Sequence, residues 1–193
     1  MNFLQTGIPA SGNRWVRAAL RARNKLSWNT PYEYIVQEIK RRCKGGVWCH
    51  VPYFPEFSSM NMPLIYIRRR EIRDQLVSYT RHPGKMKPPD YITDYQPYTD
   101  LENAMRTCAQ VYKLMQPWEE HATHIIYYED LCKDWRQALG PLFEILKINP
   151  DAAHERVQHD CKNVVRKGCP GIGQYKEVWN AHYQALYEEL FEA

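Results

Sequence analysis

The stretch Asn2-Phe3-Leu4-Gln5-Thr6-Gly7-Ile8-Pro9-Ala10-Ser11-Gly12-Asn13-Arg14-Trp15 decides the fold of this chain. Its opening residues predict a short strand that stops at Gly7, and apolar residues at helical spacing follow Gly12. A glycine loop between a strand and a helix aims backbone N–H groups and the positive helix end at an anion. The stretch therefore predicts a phosphate-binding loop, with a glycine turn that only packs helix on strand as the alternative.

The rest of the chain alternates short apolar segments with amphipathic ones. Buried strands are predicted at Val47-Trp48-Cys49, Leu64-Ile65-Tyr66-Ile67 and His124-Ile125-Ile126-Tyr127. Helices are predicted over residues 31–42, 71–79, 135–146 and 175–191, and after the capping box Thr99-Asp100-Leu101-Glu102. We therefore expect one α/β domain over residues 1–193, a three-layer P-loop-like fold with a central parallel sheet flanked by helices.

Composition limits the class of protein. Of the 193 residues, 44% are hydrophobic and 13% aromatic, which is too apolar for a disordered chain. No apolar run approaches the ~18 residues of a membrane span and no signal peptide begins the chain, so we expect a soluble cytoplasmic protein. The six cysteines form no C-x-x-C pair, which predicts reduced thiols with neither a disulfide nor zinc.

Charge indicates the kind of ligand. The net charge is +4, and arginines cluster between residues 68 and 73, which favours an anionic ligand. Nucleic acid is disfavoured because no zinc-finger or RNP-like pattern occurs. A loop that uses ATP or GTP would continue after Gly12 with Lys and then a hydroxyl residue for magnesium, whereas this one continues with Asn13 and Arg14. We therefore predict no metal, with a small nucleotide or metabolite kinase as the rival enzyme.

Two segments carry a resemblance to a known family. The stretch from Gly7 to Trp15 resembles the 5′-phosphosulfate loop of the cytosolic and bacterial sulfotransferases, and the stretch from Tyr66 to Tyr79 resembles their Arg-x-Pro-x-Asp-x-x-x-Ser segment. The resemblance implies a donor, 3′-phosphoadenosine-5′-phosphosulfate (PAPS), and a product, adenosine 3′,5′-bisphosphate (PAP). It implies that the 5′-phosphosulfate is bound by Ser11, Gly12, Asn13 and Arg14, that adenine stacks on Trp15, and that the 3′-phosphate is bound by Arg70 and Ser78.

Three further segments also resemble the family, two after these in the chain and one between them. Tyr127-Tyr128-Glu129-Asp130-Leu131 resembles its Tyr-Glu-Asp segment, which implies that Tyr128 lies beside adenine. Near the C-terminal end, Arg166, Lys167 and Gly168 resemble the loop that closes over the 3′-phosphate. Trp48-Cys49-His50-Val51-Pro52 resembles Lys-Thr-His-x-Pro, which implies that His50 is the general base, with a pKa expected in the region of ~6 to 7.

Two departures from the family concern charge. Ala10 and Trp48 stand where the family has cations, so Arg14 is expected to meet the charge that develops on the leaving phosphate. The prediction is a PAPS-dependent sulfotransferase for a small-molecule hydroxyl or amine acceptor. Its acceptor pocket is expected near Tyr53, Phe54 and Phe57, under a loop over residues 82–97. A nucleotide-binding protein that has lost transfer activity is the non-enzyme alternative, and the oligomeric state stays open because the family's C-terminal dimerisation pattern is not matched.

Overall fold

The computed structural model of the chain describes residues 1–9, 11–26, 30–42, 44–81, 100–161 and 172–192. The strands are β1 Leu4–Gly7, β2 Asn24–Lys25, β3 Val47–Trp48, β4 Leu64–Arg68 and β5 His124–Tyr127. The α-helices are α1 Asn13–Leu20, α2 Ile35–Arg42, α3 Ile72–Thr80, α4 Leu101–Met115, α5 Pro117–His121, α6 Tyr128–Leu146, α7 Pro150–Asp160 and α8 Ala181–Tyr187. Single turns of 3₁₀-helix cover Tyr32–Tyr34, Pro55–Met60 and Gln174–Glu177, and a π-turn covers Glu188–Glu192.

The five strands form one parallel sheet in the order β2-β3-β1-β4-β5. Helices pack on both faces of this sheet, so the predicted α/β fold class is confirmed. Strand β1 lies at the centre and all four of its residues are buried, as a strand covered on both faces requires. The loop that follows β1 therefore lies at the carboxyl edge of the sheet, where open α/β folds hold their ligands.

Alternate residues of the central strands supply two cores. Phe3, Ile65 and Ile67 pack with α1, α6 and α7 on one face. Leu4, Leu64 and Tyr66 pack with α2, with the end of α4 and with Trp118 of α5 on the other. This division fixes which side of the sheet each side chain near the candidate site occupies.

Several helix boundaries differ from the predicted ones. Asp100 caps α4 with a 2.8 Å bond from the backbone N–H of Asn103, whereas Thr99, the predicted capping residue, lies outside the described residues. Helix α6 begins at Tyr128 and is broken at Asp134, whose carboxylate caps the part predicted from residue 135 onward. The predicted helix over residues 175–191 is instead a 3₁₀ turn followed by α8, which Asn180 caps. Helix α4 ends at Met115, just before Pro117, the first residue of α5.

One cysteine corrects the sequence-based prediction. Cys132, on α6, takes part in a disulfide, whereas Cys49, Cys108 and Cys161 are free. The expectation of six reduced thiols is therefore wrong for Cys132, because disulfide partners meet through the fold and not through a readable local spacing. Within the part of the chain that the structure describes, no helix is long and apolar enough to cross a membrane.

Candidate functional site

The Ile8 and Pro9 carbonyls of the loop between β1 and α1 are turned into the protein. The Ile8 carbonyl accepts hydrogen bonds from the Ser11 hydroxyl at 2.7 Å, from the Asn13 amide at 2.8 Å and from the Ser11 N–H at 3.3 Å. The Pro9 carbonyl accepts bonds from the Tyr79 hydroxyl at 2.8 Å and from the Gln75 amide. Because the first N–H groups of α1 have no acceptor inside the helix, the outer side of this loop presents donors to a ligand.

The side chains of Ser11 and Asn13 hold the loop from within. They are 0% and 7% exposed, and their polar hydrogens go to the Ile8 carbonyl. Gln5 of β1 also donates a 2.9 Å bond to the Asn13 carbonyl, which fixes the first residue of α1 to the central strand. In this arrangement a phosphosulfate would meet main-chain N–H groups rather than these side chains, and the Ser11 N–H would first have to leave its 3.3 Å bond to the Ile8 carbonyl. Their predicted part in donor binding stays a prediction.

Gly12 and Tyr128 are packed against each other. Gly12 has φ 87°, in the left-handed region, and a Cβ atom there would stand 2.9 Å from Cδ2 of Tyr128. Tyr128 is 5% exposed, and the guanidinium carbon of Arg69 lies 4.2 Å from its ring centre. The start of α6 therefore packs directly against the loop. The position of Tyr128 beside adenine stays a prediction.

The two remaining residues predicted in this loop differ in exposure. Arg14, in the first turn of α1, is exposed and able to reach a ligand. Trp15 is 6% exposed and packs in the core between α1, α6 and α7, and its indole Nε1 is buried without a hydrogen-bond partner among the described residues. Stacking of Trp15 on adenine stays a prediction that needs the ring to become accessible. Ala10 lies outside the described residues.

His50 is oriented by the end of β1. Its Nδ1 lies 2.5 Å from the carbonyl oxygen of Gly7. A carbonyl can only accept, so we assign the ring proton to Nδ1 and the lone pair to Nε2. Gly7 itself has no room for a side chain, because a Cβ there would stand 2.5 Å from the Ile67 carbonyl oxygen. The histidine thus has the tautomer that a general base requires.

The pKa of His50 is lowered to about 4. Burial is the main cause, the bond to the Gly7 carbonyl opposes it, and the charge of Lys25 lowers the pKa further. The expected pKa near ~6 to 7 is corrected, because the sequence could not show how far the strand end is buried. The imidazole is neutral at pH 7 and remains neutral well into the acid range.

Two cations that the sequence did not indicate lie against Trp48, whose ring contacts His50. The guanidinium carbon of Arg17 and the ammonium of Lys25 lie 5.0 Å and 5.1 Å from the ring centre of Trp48. The Trp48 ring is in turn edge-on to His50, with centroids 5.9 Å apart. Lys25 belongs to β2, a two-residue strand too short to recognise in the sequence, which pairs Lys25 with Trp48. The tryptophan that replaces the family's lysine therefore has two cations beside it.

The residues predicted for the 3′-phosphate make contacts of their own. Arg70 is half exposed and forms a two-pronged ion pair with Asp130, at 2.8 and 2.7 Å, which raises the pKa of Arg70 and lowers that of Asp130. The Ser78 hydroxyl donates to the Asp74 carbonyl at 2.9 Å, inside its own helix. Neither bond prevents phosphate binding, since both groups are close to the surface. Their shared role stays a prediction, and Arg166, Lys167 and Gly168 lie outside the described residues.

The segment that contains Gly173 and Tyr175 is held against helix α3. The carboxylate of Asp74, which is 2% exposed, accepts bonds from the N–H groups of Gly173 at 2.6 Å and Tyr175 at 3.0 Å. Helix α3 thereby holds residues 173–175 near the turn that contains Arg70. Asp74 stands at the Asp position of the motif that resembles Arg-x-Pro-x-Asp-x-x-x-Ser, but the sequence did not show what its carboxylate binds.

The predicted acceptor residues lie next to α5. Tyr53 and Phe54 are half-buried, and Tyr53 stacks on His121 with centroids 4.3 Å apart. Phe57 is 1% exposed and stacks on Trp118 in the core, so it would contact an acceptor only after a main-chain shift. The acceptor pocket stays a prediction, and residues 82–97, its expected cover, lie outside the described residues.

A metal site was not predicted. Among residues 1–9, 11–26, 30–42, 44–81, 100–161 and 172–192, no three His, Cys, Asp or Glu side chains are grouped so that they could hold a metal ion.

Comparison with known proteins supports the fold. No protein family and no curated protein sequence matches the chain. Among solved structures, the chain is similar to retinol dehydratase in complex with retinol and PAP, with a TM-score of 0.56 and 11% identity over 98% of this chain and 80% of that one. It is also similar to retinol dehydratase in complex with androsterone and the inactive cofactor PAP, with a TM-score of 0.55 and 11% identity over 98% and 79% of the two chains. At this identity the similarity shows a shared fold.

Proposed function

We propose that the chain is a PAPS-dependent sulfotransferase that transfers a sulfuryl group to a hydroxyl of a small-molecule acceptor. The observation that carries this proposal is the pairing of the β1–α1 loop with His50. The Ile8 and Pro9 carbonyls of the loop are bonded inside the protein, and His50 is bonded to Gly7, the last residue before that loop. The proposed anion site, at the start of α1, would therefore adjoin a neutral base at the carboxyl edge of the sheet.

The loop fits the 5′-phosphosulfate group of such a donor. Its available donors are backbone N–H groups, and the Gly12 position has no room for a side chain beside Tyr128. Two structures of the same fold carry PAP, the product of this donor. We assign Arg14 and the main chain of Ser11, Gly12 and Asn13 to the 5′ side, with Trp15 and Tyr128 near adenine. We assign the 3′-phosphate to Arg70 and Ser78, together with Arg166, Lys167 and Gly168.

The proposed reaction balances as a single displacement. The acceptor oxygen forms a bond to sulfur, the bond between sulfur and the bridging oxygen of the 5′-phosphate breaks, and PAP leaves. Nε2 of His50 takes the acceptor proton, and the Gly7 carbonyl stabilises the charged ring that results. Negative charge develops on the bridging oxygen, where Arg14, Arg17 and Lys25 are the candidate cations. We expect an aromatic or partly apolar acceptor near Tyr53 and Phe54.

The test is turnover with a library of hydroxyl and amine compounds, PAPS and a metal chelator, followed by mass spectrometry. The proposal expects PAP and a sulfated product in a one-to-one ratio. PAP binding without sulfation of any compound would favour a nucleotide-binding protein that does not transfer, which the loss of cations at Ala10 and Trp48 motivates. Stabilisation by ATP and magnesium, but not by PAP, would favour a kinase instead.

A further inference from the structure

A buried polar network lies beneath the β1–α1 loop. Gln75 of α3 is 0% exposed, yet both ends of its side-chain amide have partners. Its nitrogen faces the Pro9 carbonyl, the Ser11 hydroxyl at 3.2 Å and the Tyr79 hydroxyl at 3.2 Å. Its oxygen accepts a 2.5 Å bond from the hydroxyl of Tyr112 on α4. A buried amide is tolerated only when it is satisfied in this way, and this one joins three separate elements.

The direction of these bonds sets the direction of the amide. The Tyr112 hydroxyl is the donor, so it holds the Gln75 oxygen towards α4 and leaves the NH₂ group facing the loop. The Ser11 proton is committed to the Ile8 carbonyl, so the Ser11 oxygen presents a lone pair to that NH₂ group. With the amide turned round, its oxygen would face the Pro9 carbonyl without a proton between them. The Pro9 carbonyl, which can only accept, therefore selects this amide orientation, and Tyr112 supports it by donating to the Gln75 oxygen.

The selected orientation determines what the loop shows to a ligand. Gln75 and Tyr79 together hold the Pro9 carbonyl inward. Without the hydrogen bonds from Gln75 and Tyr79, the Pro9 carbonyl would need a donor from outside the protein, and its oxygen would then face the ligand. An outward carbonyl repels an anion, whereas an inward one leaves N–H groups on the outer side.

We propose that Tyr112, Gln75 and Tyr79 form a positioning relay that holds the β1–α1 loop in its anion-binding conformation. Gln75 and Tyr79 are buried and act on the loop through Pro9 and Ser11, and Tyr112 acts through Gln75. Gln75 and Tyr79 lie on one face of α3, four residues apart, and Tyr112 completes the relay from α4. The identity of the anion rests on the proposed function. The conformation of the loop does not depend on it.

The test compares variants that change single groups of the relay. Tyr112→Phe removes the donor to the buried Gln75 oxygen, and Gln75→Glu replaces the NH₂ group by an acceptor. Tyr183→Phe, on α8, is the matched control for loss of one phenol hydroxyl. Inorganic sulfate is titrated against each ¹⁵N-labelled protein while the Gly12 amide is followed by NMR. PAP affinity, the KM for PAPS, kcat and the unfolding midpoint are measured in parallel.

We expect Gln75→Glu to weaken sulfate and PAP binding by about tenfold or more, and Tyr112→Phe by roughly twofold to tenfold. The KM for PAPS should rise more than kcat falls, because the relay acts on donor binding. Tyr183→Phe should match the parent protein. Normal sulfate affinity in folded Tyr112→Phe protein would overturn the relay, even if Gln75→Glu fails to fold. Sulfate binding that follows the variants while PAP fails to bind the parent would retain the relay and reject the proposed function.

Discussion

At the scale of single residues, the proposed transfer mechanism depends on how His50 is held. The Gly7 carbonyl fixes its tautomer, and burial with the nearby charge of Lys25 lowers its pKa to about 4. A base with a low pKa is a weak proton acceptor but is fully available at neutral pH. Of the two cations beside Trp48, Lys25 lowers this pKa, and both Lys25 and Arg17 are candidates to meet charge on the leaving group.

Replacement of His50 by Gln tests the base. Glutamine can still donate to the Gly7 carbonyl but cannot take a proton, so kcat should fall by roughly 10² to 10⁴-fold with PAP affinity nearly unchanged. For the parent protein, protonation of His50 begins to slow the reaction only as the pH falls towards about 4. Near-parent turnover of His50→Gln, or an acid limb centred near ~6.5 that His50→Gln removes, would contradict this account.

Replacement of Lys25 by Ala tests two effects of its charge: the lowering of the His50 pKa and the proposed stabilisation of the leaving group. Because the Lys25 charge lowers the pKa of His50, its removal should raise that pKa, which an NMR titration of the His50 ring measures directly. Turnover should fall by about tenfold, as for loss of a cation from developing charge, while PAP affinity changes little. Arg41→Ala, on the exposed side of α2, is the control. An unchanged His50 pKa would show that Lys25 stands too far from the base.

Replacement of Arg14 by Ala tests the cation that the sequence suggested. If Arg14 meets charge on the bridging oxygen, the variant should lose more in kcat than in PAP affinity, by about tenfold or more. Steady-state kinetics and calorimetry measure the two quantities separately. If PAP affinity falls while kcat is unchanged, Arg14 is a binding residue. Arg17 and Lys25 would then be the cations that meet the charge on the bridging oxygen.

At the scale of elements, the turn between β4 and α3 is tied to the start of α6. The Glu129 carboxylate accepts the N–H groups of Arg70 at 3.1 Å and Glu71 at 3.4 Å, and Asp130 holds the Arg70 guanidinium. Asp130 thus occupies the guanidinium that the proposed 3′-phosphate would use. Donor binding would exchange one anion for another at Arg70, so the pair with Asp130 competes with the donor.

The exchange at Arg70 predicts opposite effects for two variants. Arg70→Ala should weaken PAP binding by roughly tenfold to a hundredfold, as loss of a charged hydrogen-bond donor does. Asp130→Asn should strengthen it by roughly twofold to tenfold, because the competing carboxylate is gone. Calorimetry with PAP measures both, and AMP serves as the ligand control. Weaker binding in Asp130→Asn would mean that Asp130 orients Arg70 for the phosphate instead.

At the scale of the whole molecule, the sequence predicted the fold better than the site. Strand β5 and the strand–loop–helix around Gly12 follow from local apolar pattern, and the parallel sheet follows from their alternation. Strand β2 and the relay under the loop could not be predicted from the local pattern, because Lys25 and Tyr112 reach their partners only through the fold. The Cys132 disulfide also removes part of the cysteine argument for a cytoplasmic location, which stays a prediction.

The central claim is a site for a nucleotide that carries a 3′-phosphate and needs no metal. Calorimetry of the parent protein with PAP and with AMP, both in a metal chelator, tests it most directly. The account predicts that PAP binds roughly tenfold to a hundredfold more tightly than AMP, because charged donors such as Arg70 meet the extra phosphate. Equal affinities, or PAP binding that appears only with magnesium, would contradict it.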